Sequence, residues 1–114
     1  MKTRKEAINF CLSLTGAYED YPFGSAGEAD CWTAMRHLKS KKTFAFLFER
    51  GGLFVNVKCE PARAELLRQL FDGVTPAYHM NKNHWNSIRI GSDVPDDVVE
   101  EMIDRSYKLT MPKT

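Results

Sequence analysis

The sequence predicts an α+β fold: a two-layer domain with an antiparallel sheet, a meander plus a late hairpin, and helices packed on one face. Two observations carry this. Three strand-like runs lie between residues 31 and 59, joined by connections too short for a parallel crossover. Apolar stripes at helical spacing flank that block at 3–15, 60–71 and from Pro95 to about Tyr107. A block of strands flanked by helices stacks the helices on one sheet face and leaves the other at least partly free.

Each element has its own local reason. Thr3, with Glu6 three places on, is a capping box for the first helix, whose stripe is Ile8, Cys11 and Leu12; Gly16 stops it. Residues 17–30, with Gly24, Ser25 and Gly27, read as a loop that Tyr18, Tyr21, Pro22 and Phe23 pin to the body. The strands follow at Cys31–Leu38, at Thr43–Glu49 with alternating Phe44, Phe46 and Phe48, and at Leu53–Cys59. Arg50-Gly51-Gly52 is a tight hairpin turn. Pro61 opens the second helix, whose buried face is Leu66, Leu67, Leu70 and Phe71, and Gly73 ends it. A strand is expected at Trp85–Ile90 and a short one near Tyr78–Met80, with Asn81-Lys82-Asn83 as the hairpin tip. Pro95 opens the last helix, with Val98, Val99, Met102 and Ile103 inward.

The chain's 114 residues suit one domain, and 43% hydrophobic residues fill a modest core without disulfides or metals. No membrane-length apolar run or signal-peptide stretch is present, so a cytoplasmic protein with no membrane partner is expected. Cys11, Cys31 and Cys59 are odd in number and widely spaced, which fits buried free thiols. The glycines spell neither a dinucleotide fingerprint nor a P-loop, and no cofactor is implied. His79 and His84 straddle a turn with no nearby carboxylate, a poor metal set. Nothing local supports an oxyanion hole or an activated thiolate, so no catalytic residue and no enzymatic activity are expected.

Charge and rings mark a surface instead. Between Arg36 and Arg89, ten Lys/Arg stand against four Asp/Glu, whereas Asp93–Asp104 carries six acids and no base. An anionic partner would meet the middle of the chain and avoid the last helix. Strand periodicity places Phe54, Asn56, Lys58, Trp85, Ser87 and Arg89 on the face opposite the aliphatic residues. Rings interleaved with cations suit unstacked bases and phosphates; they also suit a protein interface, or a merely structural face. The basic turn from Arg36 through Lys39 to Lys41 and Lys42 is either a wing against a phosphate backbone or a solvated turn.

Asn56-Val-Lys58, Pro61, Gly73-Val-Thr-Pro76 and Tyr78-His-Met-Asn-Lys-Asn-His-Trp-Asn-Ser-Ile88 resemble the MmcQ/YjbR-like family, as do Tyr21-Pro-Phe-Gly24, Val94-Pro-Asp-Asp and Ser106-Tyr107. The resemblance runs from the first helix to about Leu109. It implies a small bacterial α+β protein, also similar in fold to type III secretion chaperones. It implies DNA binding through a "double wing" of β-hairpins, with no established enzymatic activity, and some members are linked by name to mitomycin resistance. The family pattern falls on Lys58, Tyr78, Lys82, His84 and Trp85. Together the two lines give a nucleic-acid-binding set of Arg36, Lys39, Lys41, Lys42, Lys58, Tyr78, Lys82, His84, Trp85 and Arg89. The expected partner is DNA, with another protein as the alternative; the sequence leaves the oligomeric state open, with a monomer favoured.

Overall fold

The computed structural model describes residues 1–23, 31–77 and 80–112. Helix α1 is Arg4–Leu12. Its Thr3 hydroxyl accepts the Glu6 N–H at 3.2 Å, as a cap should. The reciprocal half is shifted, because the Glu6 carboxylate accepts from the Lys2 N–H at 2.9 Å.

Four strands then run before the next helix, not three. Ala17–Asp20 is β1, in a stretch expected to be loop, and it pairs antiparallel with β2, Thr33–His37. The meander continues through β3, Thr43–Glu49, and β4, Leu53–Lys58. Helix α2 is Pro61–Leu70. The late hairpin pairs β5, Val74–Pro76, with β6, Trp85–Arg89. Its first strand therefore lies upstream of the expected Tyr78–Met80; Tyr78 and His79 lie outside the described residues, as do residues 24–30. Helix α3 is Asp96–Leu109, two residues longer than expected, with Asp96 and Asp97 favourably placed at its positive N-terminal end.

The sheet has six strands in the order β1-β2-β3-β4-β6-β5. One side meets every helix. Met35, Ala45, Leu47, Val55, Val57 and Ile88 pack with Ala7 and Cys11 of α1, Ala64 and Leu67 of α2, and Val99, Met102 and Ile103 of α3 in one buried cluster. Three expectations about this core need correction. Leu12, expected in the α1 stripe, is exposed in the last turn of the helix, which rests on Ala7 and Cys11. Leu66 and Leu70 of α2 are 48% and 60% exposed, because the helix rests on a narrow stripe formed by Ala64 and Leu67. Phe44 does not share a face with Phe46 and Phe48. A register shift makes Arg36 pair with Thr43 while Met35 pairs with Ala45. This bulge turns the Phe44 ring into the core, edge-on to Tyr107 at 5.3 Å.

Polar groups on the helix side are tied down. Ser106 of α3 donates to the Phe44 carbonyl at 2.6 Å and accepts the Lys58 N–H at 2.8 Å, pinning α3 to two strands. Asp93 accepts from the backbone N–H groups of Asp72 and Gly73, both at 2.8 Å, and these bonds hold its pKa below the ordinary carboxylate value. Gly73 is needed at this junction, since a Cβ there would lie 2.0 Å from the Ser92 hydroxyl oxygen.

Candidate nucleic-acid interface

The hairpin registers decide which side chains share the helix-free face. Phe54 sits opposite Arg89, Asn56 opposite Ser87 and Lys58 opposite Trp85. Phe46 sits opposite Asn56, and Phe48 opposite Phe54. The face grouping expected from alternation in β4 and β6 is therefore the grouping in the fold.

Rings run across this face as one series. Trp32, just before β2, stacks on Phe48 with centroids 4.3 Å apart and planes 8° apart. Phe48 stacks on Phe54 at 5.4 Å. Phe46 touches Trp32 edge-on at 5.8 Å and meets Trp85 at 6.2 Å. The Arg89 guanidinium lies over the Phe54 ring, 5.7 Å from its centroid, and donates to the Gly51 carbonyl at 3.0 Å. Gly52 makes room for it: a Cβ there would come within 3.2 Å of the guanidinium. Trp32, Phe46 and Phe48 are absent from the set read from sequence. The signal was available: with Gly51-Gly52 as a tight turn, Phe48 must lie beside Phe54, and the same alternation extends to Phe46.

Two hollows open on this face. One, of about 190 Å³, is lined by Trp32, Phe48, Phe54, Asn56, Pro76 and Ser87, among others, with Arg50 also on its wall. The second, of about 270 Å³, shares Trp32 and adds Phe23, Phe46 and Met80.

The expected cations divide into three groups. Lys39, Lys41 and Lys42 lie exposed in the β2–β3 turn. Lys41 has a φ of 62°, and its carbonyl accepts from Arg36 at 2.9 Å. Arg36 also pairs with Asp20 at 2.8 Å, so its charge is engaged internally and it braces the turn. Lys58 and the tip at Lys82 and His84 lie at the same end of the sheet as that turn, as the antiparallel order requires. The two basic loops are thus separated by β4, about 10 Å from strand β3 to strand β6. Arg89 lies at the opposite end with Arg50. Arg68, outside the expected set, holds the tip in place by donating to the Lys82 carbonyl and to Asn86 Oδ1. Trp85 is half-buried in the ring series, and Tyr78 lies outside the described residues.

The cysteines and His37 are buried. Burial pushes the Cys11 thiol up to about 12 and raises that of Cys59, so both stay protonated near neutrality. All three cysteines are buried and free. His37 is buried, with Nε2 2.8 Å from the Thr110 hydroxyl. Among the described residues no group of three or more His, Cys, Asp or Glu side chains is placed to hold a metal. No described helix is long and apolar enough to cross a membrane.

Six antiparallel strands, helices on one side and rings on the other define a two-layer α+β protein with one open aromatic sheet face. The chain belongs to the YjbR family, whose model matches residues 12–109. It is 29% identical over 107 residues to the uncharacterized protein YjbR of Escherichia coli K12, spanning 93% of this chain and 85% of that one. It is 28% identical over 121 residues to the uncharacterized protein YyaQ of Bacillus subtilis, spanning 96% and 99%. A crystal structure of a Deinococcus radiodurans protein with a DUF419 domain superposes with a TM-score of 0.85 at 27% identity, covering 99% of this chain and 81% of that one. A Pseudomonas syringae crystal structure shares the fold with a TM-score of 0.82 at 23% identity, covering 96% and 99%.

Proposed function

We propose that this protein is a non-enzymatic nucleic-acid-binding domain that takes DNA on its open sheet face. The observation that carries this is the ring series Trp32, Phe46, Phe48, Phe54 and Trp85 on the side no helix covers, with basic loops along one end. Bases stack on such rings irrespective of sequence. Phosphates pair with Lys39, Lys41, Lys42 and Lys58 at one end of the sheet and with Arg50 and Arg89 at the other. The two loops at the Lys39–Lys42 and Asn81–His84 positions act as the wings. The acidic α3 lies against the opposite side of the sheet, where it does not repel the strand.

The test is fluorescence anisotropy of labelled single- and double-stranded DNA with nuclease-treated protein at two salt concentrations. Affinity should fall with salt by about 0.7–0.9 log units per log unit of salt for each phosphate neutralised. The variant with Lys39, Lys41 and Lys42 all changed to Glu should lose binding while melting like the parent. Equal binding by this variant would sink the reading. A protein-contact role for the same face is favoured by Phe23, which is 73% exposed with its ring edge-on to Trp32. That role predicts partner capture that survives both nuclease and salt.

A further inference from the structure

We infer that the 190 Å³ hollow over Asn56 is a slot for one planar nitrogen heterocycle bearing an N–H donor, a nucleobase whose phosphate lies at Arg50. This deepens the proposed DNA reading and rests on the same sheet face. The observation behind it concerns a single atom. Asn56 rises from the middle of β4 and is 2% exposed. Its Nδ2 faces the Met80 sulfur at 3.8 Å, a weak acceptor. Its Oδ1 is buried with no hydrogen-bond partner, a state shared among the described residues only by two nitrogens of the Arg4 guanidinium.

A buried amide oxygen without a donor is costly, and a leucine of similar size would remove that cost. The fold satisfies its other buried asparagine fully. Asn86, one position along the neighbouring strand, accepts from Arg68 at 2.6 Å and donates to the Ala64 carbonyl at 3.2 Å. Asn56 is part of the floor of the hollow that has rings on one side and Thr75, Pro76 and Ala77 on the other. Ser87, its cross-strand neighbour, offers a hydroxyl to the same space.

Shape and charge narrow the occupant. The hollow is smaller than the roughly 300–1,000 Å³ of drug-sized sites and suits one ring system. Trp32, Phe48 and Phe54 line the hollow with aromatic surface. Arg50, exposed on the wall and without an ion pair among the described residues, meets an anion attached to that ring. The unpaired Oδ1, with the second Nδ2 hydrogen beside it, matches adenine in particular, whose amino group donates to Oδ1 while a ring nitrogen accepts from Nδ2. The occupant comes either from a strand or from a free nucleotide.

The experiment titrates adenosine 5′-monophosphate, adenosine, ribose 5-phosphate and a labelled oligo(dA) into the 15N-labelled full chain. The monophosphate should shift the Asn56 side-chain amide and the Trp32 indole signals, whereas ribose 5-phosphate should leave them in place. Asn56→Leu should melt at or above the parent temperature and bind the monophosphate at least tenfold more weakly. Arg50→Gln, an exposed change, should bring monophosphate affinity down to that of adenosine. Equal monophosphate binding by Asn56→Leu, or equal shifts with ribose 5-phosphate, overturns the slot. If oligo(dA) binds parent and Asn56→Leu alike while the monophosphate does not bind, the slot falls and the broader face reading stands. If the monophosphate binds and oligo(dA) binds no tighter, the slot stands for free nucleotides and the strand reading falls. If neither binds, both fall.

Discussion

The two faces of the sheet treat the same residue types in opposite ways. On the helix side Phe44 is fully buried against Tyr107, and Asn86 has partners for both ends of its amide. On the open side Phe46, Phe48 and Phe54 are half-exposed, and Asn56 keeps an unpaired oxygen. The helix face is finished as a core; the open face carries core-like residues that no described helix or strand covers. Burial on one side contributes to stability, while on the other the same chemistry remains partly open to solvent.

Alanine scanning gives the largest contrast. Phe44→Ala should cost about 3–5 kcal/mol, since the bulge places its ring in a packed site that collapses poorly. Phe54→Ala, ten residues on and facing outward, should cost roughly 1–2 kcal/mol from partial burial and loss of the Arg89 contact. Urea midpoints of the two variants check this; equal losses would erase the distinction between the faces.

The asparagine pair sharpens it. Asn86→Leu removes the acceptor of Arg68 Nε and the side-chain donor to the Ala64 carbonyl, and should cost about 2–3 kcal/mol. Asn56→Leu strands nothing except a contact to sulfur, so its denaturation midpoint should match or exceed the parent's. A large loss at Asn56 would mean its oxygen has a structural partner after all.

The smallest effect is in pH. His37 is buried on the helix side, and burial, aided by the charge of Lys42, pushes its pKa below the usual 6.5. The folded state therefore takes up this proton less readily than the unfolded chain. The stability it confers is complete above the unfolded value of 6.5 and is lost as pH falls through the lower folded value. His37→Gln should flatten the change in urea midpoint between neutral and mildly acidic pH. The open face, which has no buried imidazole among its described residues, should contribute no such slope.

How much of this was legible depended on whether local pattern or distant contact decided a residue's place. The face grouping in β4 and β6 followed from alternation alone, because Val55, Val57 and Ile88 had to turn inward together. The helices were legible from their stripes to within a few residues. β1 was not, because Ala-Tyr-Glu-Asp has no apolar alternation; its strand state comes from pairing with β2 at the sheet's edge. The Phe44 bulge was hidden for a similar reason, since alternation assumes an unbroken register. Arg36 read as a free cation because its partner, Asp20, lies sixteen residues away across an unrecognised strand pair. The exposure of Leu66 and Leu70 depends on how far α2 overlaps the sheet, which no helical stripe records.

The strand order has a further consequence, for crowding. An open sheet can recruit another chain at its rim wherever a long, unpaired backbone edge is on offer. Here one rim is the four residues of β1, with Glu19 and Asp20 among them, and the other is the three residues of β5, ending in Pro76. Short length, negative charge and a missing N–H each oppose addition of a seventh strand. A molecule with so many half-exposed rings on its face thus closes its sides to templated growth, and concentrating it should favour contact through the face over stacking edge to edge.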